Sequence, residues 1–263
     1  MKPEFTSSFI RIRKKIRCQN AILLVGLPGV GFASKLAVDH LVRQLKAEHV
    51  ASLYSPHFPN QVLATSKGNL RPFSLKFYYK KVNKQHLFFL KGDLQPLTVE
   101  GQYEVTAQSL RYFSEVGGSK VYSMAGLVSQ VSDKPRQIYV SSTHKNELTN
   151  VKKTLNAKIN TNFIPIVGMA GLVPSLAPLF KLIGCCFLVE TTGEAIDAVA
   201  ATRLVEMVGK LTGKKIPVEN LKKKAERAKN NLEKFAKQTQ PQEQQAIAGA
   251  APVMPKDTLN YIR

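Results

Sequence analysis

The residues best placed to do chemistry are the run Gly26-Leu-Pro-Gly-Val-Gly31. A glycine turn between a strand and a helix leaves backbone N–H groups unpaired at the helix N-terminus, where the helix dipole adds positive potential. The chemistry on offer is anion binding at Gly26, Gly29, Val30 and Gly31. Two nucleotide patterns nearly fit. Gly26 and Gly31 have the spacing of a phosphate loop, but Phe32 and Ala33 stand where that loop needs its lysine and its hydroxyl. No charge then reaches a phosphate, and no side chain holds magnesium. Gly29 and Gly31 open a dinucleotide turn, but Ser34 takes the third glycine position and Ser55-Pro56 ends the next strand where an acid is needed. One reading is a nucleotide- or nucleoside-binding enzyme that uses this turn with acids distant in sequence, Asp93, Glu190 and Asp197. The other is a backbone device, whose glycines adopt unusual angles and let the helix pack tightly on the sheet. The near misses favour the backbone device.

Other chemistry is sparsely supplied. His40, His49, His57, His86 and His144 have neither helical i,i+4 spacing nor a Cys-x-x-Cys beside them, so no metal site is expected. No G-x-S-x-G elbow occurs. Cys185 and Cys186 lie in an apolar run, where thiols are usually inert. Asp197 reads as a tie that holds a loop through backbone N–H groups. No catalytic residue and no cofactor are expected.

The elements that hold this turn read as α/β. Ala21–Val25 is an unbroken apolar run, a strand buried on both faces. Phe32–Lys46 follows as a helix with Ala33, Leu36, Ala37, Leu41 and Leu45 on one face. Further strands are expected at 50–54, 61–65, 74–79, 86–90, 121–124, 137–140 and 185–189, with helices at 103–113 and 146–155. Thr191-Thr-Gly-Glu194 has capping-box spacing before a helix over 195–211. After Pro217, Val218, Leu221, Ala225, Ala228, Leu232 and Phe235 follow a heptad seam. Residues 163–180 are apolar but broken by three prolines and two glycines, which reads as buried strand and close-packed loop rather than a membrane helix. Residues 238–255, rich in Gln, Pro, Ala and Gly, read as a flexible linker. The expected organisation is a basic lead-in at 1–20 with an edge strand, an α/β domain at 21–192, a helical extension at 193–237 and a flexible tail at 238–263.

The chain has 263 residues, and 38 Lys+Arg against 18 Asp+Glu give a net charge of +20. That field favours acidic partners and non-specific polyanion binding, but no nucleic-acid module is visible, and aromatics do not interleave with the basic runs in sequence. Three cysteines form no disulfide framework, and the start Met-Lys-Pro-Glu lacks the apolar run of a secretory signal. A cytoplasmic protein without a membrane segment is expected.

The glycine turn is followed in order by His57-Phe58-Pro59, Gly92-Asp93, Ser123-Met-Ala-Gly126, Gly168-Met-Ala-Gly-Leu172, Glu190-Thr191 and Asp197-Ala-Val-Ala-Ala201. Over residues 20–235 this series resembles the proteasome assembly chaperone family in its archaeal branch. The positions that carry the likeness are Gly26, Pro28, Gly29, Gly31, Phe58, Pro59, Gly126, Gly168, Gly171, Glu190, Thr191, Asp197 and Ala201. The resemblance implies a three-layer α/β/α fold similar to that of purine nucleoside phosphorylases, followed by a helical extension, without implying their reaction. It implies a chaperone or adaptor that forms homo- or hetero-oligomers, with proteasome α-subunits or a related chaperone subunit as partners. The resemblance also implies that, as in some archaeal members, a flexible C-terminal tail docks into pockets of the α-ring, usually through a hydrophobic–Tyr–any ending. Here the chain ends Asn260-Tyr261-Ile262-Arg263, so the tyrosine is third from the end and its ring is displaced by one residue. Tyr261, Ile262 and Arg263 are the candidate docking residues.

Overall fold

The structure is a computed structural model that describes residues 6–64, 68–130, 135–159, 164–193, 196–221 and 223. The chain divides after Ala225, and the second unit, Glu226–Arg263, lies outside the described residues. The heptad positions from Ala225 to Phe235, the linker and the tail residues Tyr261, Ile262 and Arg263 therefore lie outside them too.

Strands form where apolar or alternating runs meet turn residues. They are β1 (Phe9–Ile12), β2 (Ala21–Gly26), β3 (Glu48–Tyr54), β4 (Val62–Ala64), β5 (Leu70–Pro72), β6 (Leu75–Val82), β7 (Gln85–Gly92), β8 (Gly118–Val128), β9 (Ile138–Ser142), β10 (Lys158–Ile159) and β11 (Ile183–Thr191). The helices are α1 (Ala33–Gln44), α2 (Val99–Glu115), α3 (Lys145–Leu155), α4 (Met169–Leu176) and α5 (Ala198–Thr212). One nine-stranded sheet has the order β1-β3-β6-β7-β2-β8-β11-β9-β10, and β4 pairs with β5 apart from it. Its centre, β7, β2, β8 and β11, is parallel. The wing β1, β3 and β6 is antiparallel, as is the pairing of β9 with β11.

Period-two alternation sorts the central side chains between two cores. Ile22, Leu24, Tyr122, Phe187 and Val189 share one with the apolar faces of α1, α3 and α5. Leu23, Val25, Phe88, Leu90 and Val121 share the other with α2 and α4. The result is the expected three-layer α/β/α arrangement. After α5 the chain returns to α1, where the Nε2 of His40 is 2.6 Å from the Pro217 carbonyl and Leu221 is fully buried.

Several local expectations are corrected. α2 starts at Val99, not 103, because Thr98 caps it by accepting from the Gly101 amide at 3.0 Å. α5 starts at Ala198 on an Asp197 cap, and Thr191, expected as the cap, ends β11. Of the run expected as strand and loop over 163–180, the described residues 164–180 hold instead a helix, α4, and a 3-10 turn at Ala177–Phe180. Pro174 lies inside α4 and has no N–H for the carbonyl four residues back. That carbonyl, of Ala170, instead accepts the Ser123 hydroxyl at 2.6 Å, so the break is repaired from β8. Among the described residues no helix is long and apolar enough to cross a membrane.

Asp39 pins α1 to the sheet. Its carboxylate meets Lys35 at 2.7 Å on its own helix and Lys91 of β7. Burial pushes this carboxyl up, but Lys35 and Lys91 outweigh it and hold Asp39 below the usual carboxylate range. A lowered native pKa stabilises the fold above the unfolded value of about 4, and that contribution is lost as pH falls through the native pKa. Asp39→Asn will lower the urea midpoint at neutral pH, and its gap to wild type will shrink as acid protonates Asp39. Paired urea melts across that range measure this; a gap that stays constant would show that the ion pair contributes nothing.

Candidate functional site

The glycine turn is built by its backbone. Residues Val30–Phe32 form a 3-10 turn, and Gly31 (φ 62°) and Phe32 (φ 51°) are left-handed before α1 begins at Ala33. A Cβ on Gly31 would meet the Thr191 hydroxyl at 2.5 Å, so both its angles and its space require glycine. At Gly26, a Cβ would strike the Ser34 carbonyl and Val38 at 2.4 Å, so this glycine brings α1 onto the sheet. Gly29 is extended, with open space where a Cβ would stand, and Val30 is 45% exposed.

Around the turn the structure gathers residues far apart in sequence. The Asp197 amide donates to the Gly31 carbonyl at 2.8 Å. The Asp197 carboxylate accepts the Thr191 hydroxyl at 2.9 Å and the amides of Val199 and Ala200 at 3.0 and 2.9 Å. Arg136 approaches the same carboxylate at 3.3 Å, and its carbonyl accepts from Arg203 at 3.1 Å. Gly126 of β8 lies against the Val30 carbonyl and Thr191, and Ala201, in the first turn of α5, is buried in the core. Glu190 points elsewhere, accepting the Gln137 amide at 2.9 Å and the Tyr139 hydroxyl at 3.1 Å. Gly168 and Gly171 stand at the start of α4, joined to the turn by Gln95, which donates to the Pro28 carbonyl at 2.7 Å and accepts the Met169 amide at 2.9 Å. Phe58 and Pro59 are not part of this cluster. They follow His57, whose carbonyl accepts from Leu97 and whose ring meets Glu104 of α2 at 2.9 Å.

A cavity of about 420 Å³ opens beside the turn at the carboxyl ends of β2 and β8, the place where α/β sheets hold ligands. Val25, Leu27, Val30, Met124, Ile166 and Leu188 wall it. Its polar side chains are committed to main chain: Ser34 donates to the Leu27 carbonyl at 2.8 Å, and Gln95 makes the bridge above. The acids considered for a polar pocket do not converge there. Asp93 pairs with Arg71 at 2.7 Å, while Glu190 and Asp197 are bonded as described. Burial pushes the Cys185 and Cys186 thiols up to about 11, so neither is a thiolate at neutral pH. Sequence reasoning missed Gln95 and Arg136. Neither belongs to a spaced motif, and each acts on residues about 60 or more positions away.

The turn and its Asp197 lock define an α/β protein whose strand-end cavity has apolar walls, and comparison places it in a family. The model of the PAC2 family matches residues 23–236, and this chain belongs to that family, the proteasome assembly chaperone family. It is similar to an uncharacterised protein of Methanocaldococcus jannaschii, 32% identical over 245 residues, 93% of each chain. Among solved structures it is similar to Pyrococcus furiosus PbaB, described as an archaeal proteasome activator. That likeness has 28% identity and a TM-score of 0.78, covering 88% of this chain and 99% of the other. Pyrococcus furiosus PbaA, described as an archaeal homolog of proteasome-assembly chaperone, gives 25% and 0.73, covering 90% and 99%.

Asp197→Ala removes a helix cap and strips a mostly buried arginine of its counter-charge. It should cost about 3 kcal/mol in a denaturant melt. Asp197→Asn, which keeps an acceptor for the α5 amides, should cost less. Equal losses would mean that the cap to the α5 amides contributes nothing, and an Asp197→Asn variant as stable as wild type would mean that the Arg136 charge contact does not matter.

Proposed function

We propose that this chain is a non-catalytic assembly chaperone or adaptor of the proteasome, whose α/β body presents contact surfaces to oligomer and client. One observation carries this reading. The cavity at the strand ends is walled by apolar side chains and rimmed by Val30, Val128 and Val167, which are 45%, 62% and 86% exposed. The nearby carboxylates are meanwhile consumed by internal bonds. Such a surface suits protein contact better than a polar substrate. The descriptions of PbaB and PbaA support a proteasome-related partner. The partners proposed are proteasome α-subunits or a related chaperone subunit, met in the cytoplasm by a homo-oligomer of this chain. Tyr261, Ile262 and Arg263 would provide a second contact at the end of a linker that raises their local concentration.

Pull-down with proteasome α-subunits, followed by native mass measurement, tests this. Association of the full chain is expected, weakened when 238–263 is deleted. No association of either form overturns the reading. Thermal-shift titration with phosphate, nucleosides and nucleotides tests the rival. Gly29 has room for a side chain and ordinary extended angles, so Gly29→Val covers the turn without breaking it. Saturable stabilisation by a nucleotide that Gly29→Val abolishes would replace the chaperone reading with a nucleotide-binding one.

A further inference from the structure

The wing β1–β3–β6 has one face in the α2 core and another that turns toward the α1 side. On that second side the register lines up Phe9 with Tyr54, Arg11 with Ser52, Ser52 with Lys76, His49 with Tyr78, and Lys76 with Lys91. Residues paired directly across strands share a face, so one surface carries Phe9, Arg11, Tyr54, His49, Lys76 and Tyr78. Among the described residues, the helices of this layer pack chiefly over β7, β2 and the strands beyond; they meet the wing at its inner edge, where Tyr78 packs against the α1 cluster, and leave the outer strands largely bare. Arg11 and Arg13 are exposed there, while the rings and Lys76 are half-buried. Lys35, Lys91 and Arg71 border the same surface, and the carboxylates Asp39 and Asp93 answer part of their charge. Burial, and then Arg71, push Lys76 below the ordinary lysine range, with Lys91 and Lys35 adding to it against Asp93. The cations here are crowded beyond what the protein's own acids neutralise.

We propose that this bare wing docks an acidic polypeptide segment, its carboxylates meeting Arg11, Arg13 and Lys76. The alternative for a basic, aromatic sheet face is single-stranded nucleic acid, which stacks its bases on free ring faces. The rings here are already engaged. Phe9 stacks on Tyr54 with centroids 5.5 Å apart, and His49 stacks on Tyr78 at 5.1 Å. The Lys91 ammonium stands 5.4 Å from the Tyr78 centroid. Positive charge with occupied ring faces fits carboxylates better than bases. Fixed cations of this kind act through charge complementarity, which sets on-rate and specificity. The inference rests on the wing alone, so loss of proteasome association would leave it standing.

The test is fluorescence anisotropy of a labelled Glu-Gly repeat peptide with the full chain at physiological salt. Arg11→Glu with Arg13→Glu changes exposed residues only and should weaken binding about tenfold, near 1.4 kcal/mol. Lys76→Gln, which removes the half-buried cation, should also weaken it. Lys152→Glu with Lys153→Glu makes the same charge change on exposed positions of α3 and should shift binding about twofold or less, as distant screened charges do. Equal losses in the two double variants would reduce the effect to net charge and overturn the proposal. Tighter binding of an oligothymidylate than of the peptide, lost in Arg11→Glu with Arg13→Glu, would overturn it in favour of nucleic acid.

Discussion

One hydrogen bond organises the centre of this molecule: the amide of Asp197 donates to the carbonyl of Gly31. Gly31 is left-handed and has no room for a side chain beside Thr191, so its carbonyl is aimed by the turn itself. The carboxylate of the same residue caps α5 and receives Thr191 and Arg136. The glycine turn, the end of β11, the start of α5 and the segment before β9 are thus joined in one polar node. Buried polar groups are costly unless satisfied together, so the members of such a node stand or fall as a unit.

The same economy of polar groups recurs where α4 meets the sheet. Pro174 takes a hydrogen bond out of the helix, and Ser123 of β8 supplies one to the orphaned carbonyl. Gln95 then ties the first turn of α4 to Pro28. The cavity between these ties keeps apolar walls because each polar side chain near it is already spoken for. Geometry that could have presented an anion or an acid to a substrate instead stiffens a surface.

Charge is distributed on a different principle. The buried middles of the central strands, such as Ile22–Val25 and Leu87–Leu90, exclude it, as a parallel sheet buried on both faces must. The antiparallel wing accepts it on its bare side, where Asp39 and Asp93 neutralise only part of what gathers. A chain with a net charge of +20 can spread that excess evenly or concentrate it; here register concentrates some of it beside stacked rings.

Much of the fold was legible from local pattern. The unbroken run Ala21–Val25 could only be a doubly buried strand, and the spacing of Leu36, Ala37 and Leu41 could only serve a helix with one apolar face. The missing lysine and hydroxyl after Gly31 already argued against a phosphate loop, because those groups are read residue by residue. Short strands such as Leu70–Pro72 and Lys158–Ile159 were not legible, since two or three residues carry no period. The α4 helix was hidden because its proline is tolerated through a partner some fifty residues away, Ser123. The meeting of Gly31, Thr191, Asp197 and Arg136, and of Arg11 with Lys76 across three strands, depends on strand order and register. Those are long-range choices made by the packing of two cores at once. The sequence by itself determined which residues could turn, cap or bury; the tertiary structure alone decided which of them would touch, because contacts across a sheet are set by partners and not by neighbours in the chain.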